Sequence, residues 1–126
     1  MKNLTKLTTL LVVDDIEACL PEWQALGYAV SVRVPESGAA GFVILKGPNH
    51  SELMLQTRKS LADDLPAVAR KKPSFLLYGD VAELSKARRQ LGAAKVLVEE
   101  RSTFYGATES WLELENGVIL GLSEHG

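Results

Sequence analysis

The sequence predicts an α+β fold made of two tandem βαβββ modules. Three observations predict it. There is a gap-free internal repeat, a helical segment follows the first apolar run of each copy, and three strand-length segments follow each helix. The repeat is visible in "LVVDDIEACLPEWQALGYAV" from Leu11 and "LLYGDVAELSKARRQLGAAK" from Leu76. Aligning Asp15 with Asp80 places Leu11 on Leu76, Ile16 on Val81, Leu26 on Leu91, Gly27 on Gly92 and Ala29 on Ala94, all at an offset of 65. That offset is close to half the chain, as a duplicated module requires.

The elements follow in order. Thr8–Val13 and Ser74–Tyr78 are apolar runs of strand length. Asp15 and Asp80 are placed to cap the helices that follow, with a carboxylate oxygen for the free N–H groups of a first turn. Ile16, Cys19, Leu20, Trp23 and Leu26 recur at helical spacing, as do Val81, Leu84, Ala87 and Leu91. Gly27 and Gly92 stand where a helix ends with positive φ. Pro21 removes one backbone donor, so an irregular first helix is expected.

Three strands are then predicted in each half: Tyr28–Pro35, Ala40–Lys46 and Glu52–Thr57, and Lys95–Arg101, Thr108–Leu114 and Val118–Glu124. Gly47-Pro48-Asn49 makes one turn, and Asn116-Gly117 is a two-residue hairpin signal. The later strands align at an offset of 69, with Phe42 on Trp111, Leu45 on Leu114 and Leu53 on Leu122. Four extra residues therefore fall near "RSTFYG". The organisation is one domain over 1–126, with module one at about 5–57, a polar connector at about 58–72 carrying at most one short helix, and module two at about 73–124.

Composition excludes several classes. Net charge is −2 and the pI about 5.7, so no strong field draws in nucleic acid or an anionic membrane. The apolar run Leu10–Val13 is too short to span a bilayer, and the N-terminus makes a poor signal peptide. The single cysteine, Cys19, excludes an intramolecular disulfide and a Cys-rich zinc site. A cytoplasmic location is expected. The Lys86, Arg88 and Arg89 charges read as the solvated side of a helix. His50 reads as a solvated loop residue and His125 as part of a frayed tail. There is no phosphate-binding glycine loop, no Gly-x-Ser-x-Gly elbow and no zinc motif.

Two βαβββ modules in this length, opened by "VVDDIEACLPEWQALGY" and closed by "FYGATESWLELENGVILGL", resemble the vicinal oxygen chelate superfamily. That superfamily holds glyoxalase I, extradiol dioxygenases and bleomycin-resistance proteins. The resemblance implies curled mixed sheets around a cavity, and a homodimer. Metal-dependent members carry a ligand on the first and last strand of each module. By alignment those positions fall on Thr8, Glu52, Pro73 or Ser74, and Gly121, where only Glu52 ligates well. One carboxylate does not hold a divalent ion against water, so no metal and no cofactor are expected.

The residues expected to contact a ligand are Thr8, Phe42, Glu52, Met54, Phe104, Tyr105, Trp111 and Gly121. Glu52 would face the cavity as acid, base or partner of a cation, or lie solvated on a strand edge. Alternation groups Trp111 with Glu109 and Glu113, an apolar-plus-acidic face suited to an aromatic or cationic molecule. Phe42 reads as core. Phe104 and Tyr105, in the four-residue insertion, would form a lid or a dimer anchor.

The expected function is metal-independent binding or sequestration of a small aromatic or cationic organic molecule, as in antibiotic resistance. One alternative is a glyoxalase-like lyase or isomerase, or a dioxygenase-related enzyme, using Glu52. Another is a ligand-free structural or regulatory dimer.

Overall fold

A computed structural model describes residues 2–126 and confirms the α+β class. Two compact units are seen: residues 9–75, and residues 76–126 with those up to 8.

In the first unit, β1 (Leu4–Val13) contributes its last five residues, followed by α1 (Ile16–Ala25), β2 (Ala29–Val34), β3 (Phe42–Lys46) and β4 (Glu52–Thr57). The strand order is β2-β3-β4-β1. β2–β3 and β3–β4 are antiparallel, and β4–β1 is parallel with Leu10 opposite Met54. Asp15 caps α1 as expected, its Oδ1 accepting from Ala18 N at 3.4 Å. Gly27 closes it at φ +99°. Pro21 lies within α1, which runs unbroken across it. The apolar face of α1 packs Ile16, with Cys19, Leu20 and Trp23, onto Val43, Leu45, Leu53 and Leu55. Ile16 and Leu55 are fully buried, each stabilising the fold by about 1.5–3 kcal/mol. The connector forms two helices, α2 (Arg58–Asp64) and α3 (Pro66–Ala69), where at most one was expected. Thr57 caps α2 through Ser60 N, and Pro66 starts α3, so each has its own start signal.

The second unit repeats the plan with β5 (Phe75–Val81), α4 (Leu84–Gln90), β6 (Lys95–Ser102), β7 (Ala107–Glu113) and β8 (Ile119–His125) in the order β5-β8-β7-β6. β5–β8 is parallel, and the other pairs are antiparallel. Leu84 and Ala87 of α4 pack on Leu112, Leu120 and Leu122.

Three expectations change here. Asp80 is not a helix cap: it lies inside β5, and α4 starts four residues later. Its first N–H groups find other acceptors, Leu84 N donating to Glu124 Oε1 and Glu83 N to Asn3 Oδ1, both at 2.7 Å. Gly92 has no positive φ, because Leu91 ends α4 at φ −104°. Arg88 is not a solvated charge but reaches the sheet, donating to Glu99 O at 2.7 Å and Ser110 Oγ at 3.1 Å.

The hairpins correct the repeat register. Lys46 pairs with Glu52, and Glu113 with Ile119, across turns of equal length. Matching the two hairpins gives an offset of 67 in place of 69. Trp111 then corresponds to Ile44 and not Phe42, and Gly121 to Met54 and not Glu52. The Asn116-Gly117 turn is also longer than two residues, with Leu114 N donating to Val118 O around positive φ at both. Among the described residues no helix is long and apolar enough to cross a membrane.

Candidate functional site

The face of β5, β8 and β7 opposite α4 carries the densest polar network of the second unit. Register builds it. Glu109 lies opposite Ser123, Trp111 opposite Gly121, and Tyr78 opposite Gly121 on the other side of β8. Directly opposite residues share a face, so Tyr78, Glu109, Trp111 and Ser123 converge.

Glu109 is the centre, only 1% exposed. Its Oε1 accepts from Arg101 Nε at 3.0 Å and Trp111 Nε1 at 3.1 Å. Its Oε2 accepts from the Tyr105 hydroxyl at 2.8 Å and from the Tyr78 hydroxyl. Four donors fill the lone-pair sites of one carboxylate, and Arg101 balances its charge. A buried carboxylate without such partners would be prohibitive. Burial raises the Tyr78 phenol far above its ordinary value, with the Glu109 hydrogen bond adding to the effect. Burial likewise pushes Tyr105 up to about 12. Both phenols stay protonated at any physiological pH. Ser123, fully buried, lies beside the Tyr78 hydroxyl, and its side chain partly offsets the rise there.

The β6–β7 turn brings Tyr105 in. Thr103 N donates to Ala107 O at 2.8 Å, Ala107 N donates back to Thr103 Oγ1 at 3.0 Å, and Gly106 turns the chain at φ +87°. Tyr105 thereby folds onto Glu109 while Phe104 is 90% exposed and meets the Tyr105 ring edge-on at 5.2 Å. His125 is not frayed. It ends β8 with Nε2 at 3.4 Å from Asp80 Oδ1, its ring 6.1 Å from that of Tyr105.

Four of the eight expected contact residues meet here: Phe104, Tyr105, Trp111 and Gly121. Thr8 is buried in β1. Phe42, Glu52 and Met54 share one face of the first unit, with Phe42 opposite Gln56 and Met54 opposite Ile44. Glu52 is not a solvated edge carboxylate: its side chain is 8% exposed and pairs with Lys46 Nζ at 2.7 Å. A shallow surface depression at the β3–β4 turn, lined by Lys46, Gly47, Asn49, His50 and Ser51, includes none of the eight. Sequence reasoning missed Tyr78, Arg101 and Ser123 and used Glu109 only as a neighbour of Trp111. The Glu109–Trp111 alternation was the available signal. The β5–β8 register that adds Tyr78 was not.

The positions that the resemblance implied for a metal carry a poor donor set here. Gly121 offers no ligand atom, and a Cβ there would lie 2.6 Å from the Trp111 ring. In the corrected register the counterpart of Glu52 is Ile119, again without a ligand atom. Glu52 is the one good donor under either register, and it is already matched by Lys46. No chemical step is derived through a metal.

No family model and no curated protein matches the sequence. Solved structures do match. A glyoxalase/bleomycin resistance protein/dioxygenase superfamily member from Vibrio splendidus aligns with TM-score 0.70 at 14% identity, over 96% of this chain and 98% of that one. A hypothetical protein from Bacillus halodurans aligns with TM-score 0.73 at 15% identity, over 99% and 96%. A glyoxalase I variant from Zea mays aligns with TM-score 0.60 at 12% identity, over 98% of this chain and 44% of that one. The chain therefore has the glyoxalase/bleomycin resistance protein/dioxygenase fold, as its βαβββ repeat implied.

Proposed function

We propose that this protein binds a small organic molecule, aromatic or cationic, without a metal, and acts by sequestering it. The observation that carries the reading is Glu109: a buried carboxylate whose hydrogen bonds tie the exposed Phe104–Tyr105 turn to Tyr78 and Trp111. Aromatic faces around a compensated charge form a surface for planar and cationic molecules. The fold is shared with resistance proteins and enzymes alike, so the choice between them rests on the residues. The poor donor set at the metal positions favours binding over metal-dependent catalysis. A base role for Glu52 would first have to break its pair with Lys46.

The reading includes a second copy of the chain as partner, and no nucleic acid or membrane. Edge strand β2 supports the pairing, because Val30, Val32 and Val34 on it are each 39–41% exposed. Sedimentation gives the mass in solution, and a monomer at micromolar concentration would remove that part. Ligand binding is tested by titrating chelator-treated protein with planar antibiotics and cationic dyes by calorimetry. Saturable heat is expected. A flat response across the set, with Tyr105 exchange-protected and immobile, would defeat the binding reading.

A further inference from the structure

The polarity of the Tyr78–Tyr105–Glu109 triad restricts what this face accepts, and the restriction rests on the binding reading above. We propose that the Tyr78 and Tyr105 hydroxyl oxygens form a paired acceptor that selects ligands bearing an aromatic ring next to a protonated nitrogen, such as an amidinium or a primary ammonium.

The argument is a count of protons. Each phenol has one, and both go to Glu109 Oε2. The two hydroxyl oxygens also lie within hydrogen-bond distance of each other at 2.9 Å, so both protons are used inside the triad and none is left to offer outward. Each keeps acceptor capacity, and donation to a carboxylate makes it a better acceptor. Glu109 itself is saturated by its four donors and does not serve a ligand directly. A carboxylate or phosphate arriving here would meet lone pairs only. To be bound it would have to pull a phenol proton from Glu109, leaving a buried anion short of a donor. A ligand N–H donor meets matched acceptors with no rearrangement.

Neighbouring groups agree in sign. Asp80 adds a carboxylate 3.4 Å from His125 on the same face, and Arg101 is engaged by Glu109. Phe104, 90% exposed, is available to stack on a ring.

Three probes of one shape separate the terms: benzamidinium (a cation with donors), phenyltrimethylammonium (a cation without donors) and benzoate. Affinities are read by NMR titration on wild type and on Tyr105→Phe, whose folding is checked by circular dichroism. Benzamidinium is expected to bind about tenfold tighter than phenyltrimethylammonium, with benzoate weakest. Tyr105→Phe should bring benzamidinium down to the phenyltrimethylammonium level. Equal affinity for the two cations, or benzoate as the tightest, would overturn the acceptor rule while leaving ligand binding in place. If no organic probe binds, both fail.

Discussion

The Trp111 ring occupies the space that a side chain at Gly121 would need, its partner directly across the β7–β8 ladder. This one pair explains why the position carries glycine and why a ligand-bearing side chain has no room there. Three ring atoms lie 2.6–2.7 Å from where a Cβ would stand, and Trp111 is only 2% exposed. Gly121→Ala should therefore destabilise the protein by about 1–3 kcal/mol through overpacking, measured by urea unfolding. Gly121→Glu should cost at least as much and create no zinc or nickel site by elemental analysis. Stoichiometric metal in that variant would show that the glycine alone was the obstacle.

Glu109 holds four donors together, so its loss should spread. Glu109→Ala leaves Arg101 without its buried partner and strands Trp111 Nε1, a change expected to cost about 3–5 kcal/mol. Tyr105→Phe removes the hydroxyl's contacts with Glu109 and Tyr78 at a half-exposed ring and should cost about 1 kcal/mol. Equilibrium unfolding of both variants reads the contrast. Equal, small losses would mean that the network is not a unit.

Burial raises the phenol pKa of Tyr78 and Tyr105 in the folded chain, and both groups are neutral below it. Their contribution to stability is therefore complete below the unfolded value of about 10 and is lost as pH climbs from there through about 12. Ultraviolet titration of the folded protein should show these two tyrosines still protonated at pH 10. Unfolding should set in above that pH. Normal ionisation of all tyrosines at pH 10 without loss of structure would contradict the buried network.

The two helices start by different means. Asp15→Ala removes a cap on α1 and Glu124→Ala removes the acceptor for Leu84 N, each expected to cost about 1 kcal/mol in thermal unfolding. Asp80→Asn should leave α4 unaffected and alter only the His125 contact. If Asp80→Asn unfolds the helix, the local repeat describes the cap after all.

That contrast marks what was legible in the sequence. Periodicity placed the strands and helices because burial on one face dictates both. β4 was found at its observed ends, Glu52 and Thr57. Capping of α4 was not legible, because its acceptors come from Asn3 and Glu124, each far along the chain. The site divided in the same way. Trp111 with Glu109, and the Phe104–Tyr105 turn, were visible as local patterns. Tyr78 and Ser123 join them only through the register of β5 against β8, which no local pattern encodes. The repeat offset slipped by two residues because leucines on both strands match equally well at either setting.

The most direct test of the account uses Trp111 as its own reporter. In a Trp23→Phe background, chelator-treated protein is titrated with benzamidine-type and planar cationic ligands while Trp111 emission is followed. The account predicts saturable quenching that is unchanged when zinc, nickel, manganese or iron is added, and that is weakened by Tyr105→Phe. Quenching that appears only after a stoichiometric metal is supplied would contradict it.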